Sequence, residues 1–68
     1  MYVLTCNGYP LCVSENEDEL KEKRMGLIDK LVNDDYFEIL SADETTVHYH
    51  DGISYLCDEY TIFEVDVI

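Results

Sequence analysis

Positive charge is scarce in this chain and confined to one stretch: Lys21, Lys23, Arg24 and Lys30 are its only basic residues, and none follows Lys30. Sixteen acids stand against them, for a formal charge of −12 over 68 residues. A field of that sign repels phosphates, which excludes direct binding to DNA or RNA and to anionic membrane surfaces. Long apolar runs are missing too, so neither a membrane span nor a secretory leader is expected. The three cysteines, Cys6, Cys12 and Cys57, are odd in number, and no CxxC, HxxxH or acidic calcium-loop spacing occurs. The chain therefore reads as cytoplasmic with free thiols, and no metal or cofactor is expected. Nothing in the pattern supplies a phosphate loop, an oxyanion hole or a sizeable pocket. Cys57, His48 and Asp51 can be written as nucleophile, base and orienter, but almost any small protein offers such a set, and the chain is not read as an enzyme.

Apolar residues make up 47% of the chain and six are tyrosines, which argues against the disorder that high charge alone would suggest. The length suits one domain, residues 1–68. So short a chain buries a modest fraction of its surface, and a dimer or a larger partner is a natural supplement.

The stretch 14–35 is the only one with a helical period. Ser14-x-x-Glu17 has the form of a capping box, and Glu15, Glu17, Asp18 and Glu19 suit the positive end of a helix dipole. Leu20, Leu27, Ile28 and Leu31 recur at helical spacing with Arg24 near the stripe. Glu17 with Lys21 and Glu19 with Lys23 are i,i+4 pairs in the favourable order. Asn33 suits the helix end, and Gly26 suggests a close approach to a sheet.

Strand patterns flank this helix. Residues 2–6 and 9–13 surround Asn7-Gly8, a strong two-residue hairpin signal. That turn pairs Cys6 with Tyr9, Leu4 with Leu11 and Tyr2 with Val13, placing all six on the core face. Val3, Thr5, Pro10 and Cys12 then fall opposite, and Pro10 predicts an edge position or a bulge. Downstream, residues 36–40 form a strand, 45–50 and 53–57 flank Asp51-Gly52 as a second two-residue hairpin, and Asp58-Glu59 connects to a last strand over 60–68. The core set predicted for this half is Phe37, Ile39, Val47, Tyr49, Leu56, Phe63, Val65 and Val67. Tyr36, Glu38, Leu40, His48, His50, Ile53, Tyr55, Cys57, Tyr60, Ile62, Glu64 and Asp66 are expected opposite. The fold class is α+β, in the order ββαβββ: a small antiparallel sheet of about five strands with one helix on one face.

Charge layout carries the functional expectation. Glu38, Asp43, Glu44, Asp51, Asp58, Glu59, Glu64 and Asp66 lie after the helix with no base among them. Their repulsion works against the fold, which suggests a use outside it. Carboxylates spaced like backbone phosphates suit a basic nucleic-acid-binding protein, with Tyr55 and Tyr60 as anchors beside them. In size, charge and mixed fold the chain resembles, as a class and through no specific motif, the small virus-encoded nucleic-acid mimics. Those block restriction enzymes, CRISPR effectors, uracil-DNA glycosylases or nucleoid proteins. The expected function is such an inhibitor; the alternative is a homodimeric adaptor using a Tyr-rich sheet face. His48, His50 and Cys57 share one face, and solvated side chains are favoured there over a zinc site.

Overall fold

The computed structural model describes residues 1–66. Strands β1 (Tyr2–Cys6) and β2 (Tyr9–Ser14) are followed by helix α1 (Glu17–Val32), then β3 (Glu38–Ala42), β4 (Thr46–His50) and β5 (Tyr55–Glu64). The five strands form one sheet in the order β2-β1-β5-β4-β3. Every neighbouring pair is antiparallel, as expected of the ββαβββ pattern.

Asn7 and Gly8 both adopt positive φ, 53° and 86°. This is the backbone a two-residue turn needs to match strand twist, and it pairs Cys6 with Tyr9 as predicted. The register then slips. Thr5 faces Pro10 but Leu4 faces Cys12, so Leu11 is an extra residue in a bulge beside the proline. Pro10 has no N–H to give the ladder, and the bulge on this edge strand absorbs that gap. The consequence reverses part of the expected core: Cys12 turns inward, whereas Leu11 and Val13 are exposed.

α1 begins two residues later than the capping-box spacing predicts. Asn16 is the cap: its side chain accepts the Asp18 N–H at 2.9 Å. Ser14 Oγ accepts the Asn16 N–H at 3.0 Å and donates to Glu19 Oε2 at 3.2 Å, a local turn that precedes the helix. Glu17 is thus free to pair with Lys21 Nζ at 3.3 Å. Leu20 and Ile28 are buried against the sheet, and Leu31 packs beside them. Leu27 and Gly26 are exposed, and nothing lies within 4 Å of where a Gly26 Cβ would stand. The close approach expected at Gly26 is absent.

The Asp51-Gly52 turn is wider than a two-residue hairpin. His50 pairs with Tyr55, not Ile53, and residues 51–54 form the loop. Asp51 Oδ1 organises it by accepting the N–H groups of Ile53 and Ser54, both at 2.8 Å. The slip is of two residues, so His48, His50, Tyr55 and Cys57 keep the shared face that was predicted. A second bulge at Leu40 lets Ile39 face Tyr49 and Ser41 face His48.

The largest correction concerns Asp58-Glu59. They form no connection; β5 runs unbroken through them. Its first half pairs with β4 and its second half with β1. Alternation along one continuous strand puts Leu56, Asp58, Tyr60, Ile62 and Glu64 on the helix side. Tyr60 is therefore buried and Ile62 packs against the core, while Phe63 and Val65, expected inside, are exposed outside. Val67 lies outside the described residues. The resulting core is Leu4, Leu20, Ile28, Val47, Tyr49 and Tyr60. Because β1 and β4 flank opposite ends of β5, the molecule is long, 45 × 18 × 15 Å. Its Cα radius of gyration is 13.1 Å, against about 11 Å for a compact chain of this length.

Candidate functional site

Acidic side chains bound the molecule, and the fold assigns them to different tasks. Asp43 and Asp51 are turn residues. Asp43 Oδ1 accepts the N–H groups of Thr45 and Thr46 at 2.8 and 2.7 Å and the Thr45 hydroxyl at 3.2 Å. These bonds, chiefly the backbone ones, hold its carboxyl below the usual aspartate range; the Ser54 and Ile53 N–H groups do the same for Asp51.

Asp58 points inward, contrary to its expected place on a surface turn. Tyr49 donates its hydroxyl to Asp58 Oδ2 at 3.1 Å, and Asn7 Nδ2 lies 3.4 Å from Oδ1. Burial, and after it the interaction with Asp58, pushes Tyr49 up to about 12. Tyr60, burial first and Asp58 second, is likewise pushed up to about 12. The Cys6 thiol is raised by burial and by Asp58, against a hydrogen bond with Tyr60 that lowers it. Among the described residues no buried side-chain N or O lacks a partner. Asp58, Tyr49, Tyr60, Cys6 and Asn7 are a polar lining of the core that ties three strands together.

Asn7 is the residue whose role sequence pattern hides most. Its N–H donates to the Glu59 carbonyl at 2.9 Å, its Oδ1 accepts the Glu59 N–H at 2.9 Å, and Nδ2 donates to the Cys57 carbonyl at 3.3 Å. One turn residue thus adds a rung to the sheet beyond the end of β1. Asn-Gly announces the turn and says nothing about this second duty.

The remaining expected site residues are scattered. Glu44 sits at the tip of the β3–β4 turn, exposed. Glu38 and Glu59 face away from the helix, being partnered with His50 and Thr46 on that side. Glu64 is exposed on the helix side at the end of β5, and Asp66 is exposed after it. Tyr55 is 77% exposed, as an anchor requires, and its ring packs on His50 at 4.7 Å between centroids. Tyr60, with 6% exposed, belongs to the core and not to a surface patch. Tyr36 and Ile53 are exposed as predicted.

Asp43 and Glu44 share an open groove of about 580 Å³ with Lys21, Arg24 and Asp29, floored by Met25, Ile28 and Val32. Two of the four bases therefore face part of the downstream acid set. Among the described residues, however, the only ion pair is Lys21–Glu17. Further exposed acids stand at Glu15, just before the helix cap, and at Asp18, Glu19, Glu22 and Asp29 of the helix. Capping and dipole arguments account for several of them, so their share in the acidic surface is easily missed.

His48 Nε2 and Cys57 Sγ lie 4.0 Å apart on the side away from the helix. Two ligands fall short of a metal site, and no group of three or more metal-binding side chains occurs among the described residues. No helix is long and apolar enough to cross a membrane. No family model, curated protein or solved structure matches the chain.

Proposed function

We propose that this chain is a non-catalytic inhibitor of the anti-restriction or anti-CRISPR type, which occupies the basic nucleic-acid groove of a target protein in place of phosphates. Its linear charge density carries the reading. Twelve net charges along 45 Å amount to one per about 3.8 Å, close to the 3.4 Å spacing along one strand of a duplex. A rod only 18 × 15 Å in section fits a groove that a globular acidic protein of the same charge would not enter. The surface involved is the exposed set, Glu38, Glu44, Glu59, Glu64 and Asp66 with the outer acids of α1, and Tyr55 as the apolar anchor. Asp43, Asp51 and Asp58 serve the fold and add only to the field.

The test is competition. Basic proteins retained on the immobilised chain at low salt are offered a labelled duplex or single strand, and the free chain is titrated in. The expected result is displacement of the nucleic acid, with an apparent affinity that falls steeply as salt rises. Reversing Glu44 and Glu59 to Lys slows association more than it speeds dissociation. Captured proteins that keep their nucleic acid at saturating chain would end the proposal.

A further inference from the structure

The side of the sheet turned away from α1 is almost free of the charge that covers the rest of the molecule. Val3, Val13, Tyr55 and Phe63 lie on it among threonines, histidines and Pro10, and of the sixteen acids only Glu38 and Glu59 hold strand positions there. Val13, Val3 and Phe63 are cross-strand partners and form one apolar row across β2, β1 and β5. Val13 and Phe63 are 60% and 52% exposed. The row continues through Val65 and Met1, joined by a 2.8 Å backbone bond and both exposed. Nothing among the described residues covers it, since the one helix lies on the opposite side. A contiguous apolar patch of this kind marks an interface.

We infer that this face receives a second copy of the chain, as an isologous dimer with the two sheets back to back and the helices outward. Charge decides between the candidate occupants. A basic partner is drawn mainly to the acids of the helix side and the turns, and finds only Glu38 and Glu59 on this face. Another molecule carrying −12 is repelled least where the acids are fewest, so this is the surface on which two copies can meet. Sheets packed face to face stand about 10 Å apart, which seats Phe63 and Val13 of each copy in the shared layer. The acids of α1 and Glu44 stay outside, whereas Glu38, Glu59 and Tyr55 lie on the shared face, so the dimer does not require the function proposed above and withdraws those three residues from it.

Salt separates the two ideas, because it acts on them with opposite sign. Engagement of a basic target weakens with salt, whereas two like-charged copies associate better once their repulsion is screened. Sedimentation equilibrium is run at about 0.01 M and about 1 M sodium chloride, where the Debye length falls from about 30 Å to about 3 Å. The expected result is a monomer–dimer equilibrium shifted toward dimer at high salt. Phe63→Lys should raise the dissociation constant by at least about 30-fold, as for a central anchor residue. Val13→Lys is a second variant, and both side chains are exposed enough for the monomer to keep its circular dichroism spectrum. Reversing Glu44, on the helix side, should leave the dimer unchanged while weakening capture of basic proteins. A chain that stays monomeric at high salt overturns the inference. So does a dimer that survives both lysine variants, since its interface would then lie elsewhere.

Discussion

The two faces of the sheet use similar residues for opposite purposes. On the helix side an aspartate and two tyrosines are drawn inward and joined, Tyr49 to Asp58 at 3.1 Å, within a core around fully buried Leu4, Leu20 and Val47. On the other side valines and a phenylalanine stand exposed among threonines and histidines, with two acids between them. A polar group is tolerated inside because no buried side-chain N or O among the described residues lacks a partner, and exposed apolar groups gain stability only once another surface covers them. Polarity alone therefore does not tell the faces apart in this protein; continuity of β5 does.

The strongest way to sharpen that contrast is truncation. Leu4→Ala or Val47→Ala should cost about 2–5 kcal/mol, against a total of roughly 3–10 for a chain this size, so much of the population unfolds. Val13→Ala on the outer side should cost under about 1 kcal/mol in dilute protein, by urea denaturation.

Neighbouring acids give the next test. Asp58→Ala strands the half-buried Tyr49 hydroxyl, at about 1–3 kcal/mol. Glu59→Gln, one residue along and on the outer side, removes a repelling charge and leaves stability unchanged or slightly raised. Equal losses at both positions would refute the inward placement of Asp58.

Alkaline titration probes the same pair of tyrosines. Their folded values, raised to about 12, exceed the ordinary value of 10. The stability they contribute is complete below pH 10 and is lost as pH rises toward 12, because the unfolded chain ionises first. Tyrosinate absorbance near 295 nm should accordingly include a late component, from Tyr49 and Tyr60, that appears only as pH approaches 12. The turn aspartates act at the other end: Asp43 and Asp51, held low, contribute stability above the ordinary aspartate value that is lost as pH falls through their own. The smallest effect belongs to Gly26→Ala, which fills open space on the helix and should stabilise by up to about 1 kcal/mol.

Much of this architecture was legible before the structure. Asn7-Gly8, the 3.6-residue spacing of Leu20, Ile28 and Leu31, and the alternation at Val47 and Tyr49 are local signals, and each element they name is present. Errors entered where two local signals compete. Asp58-Glu59 has the composition of a turn, yet a carboxylate that finds Tyr49 and Asn7 continues a strand as well as valine does. Ser14-x-x-Glu17 fits a capping box, yet Asn16 offers the nearer oxygen to the Asp18 N–H. Pro10 correctly foretold a bulge, but its position decides whether Cys12 or Leu11 turns inward, and spacing cannot place it.

The sequence by itself determined the fold class, the succession of two strands, one helix and further strands, the single helix that holds every base, and a net charge of −12. Those follow from residue type and short-range period. The joining of the last two strand segments into one β5 was decided by the tertiary structure. Only the tertiary structure decided which acids are free, which are tied into turns or the core, and which face of the sheet is spared. A strand's two sides exchange with a shift of one residue, and only the bonds from neighbouring strands, above all those of Asn7 and Tyr49 to β5, fix that register.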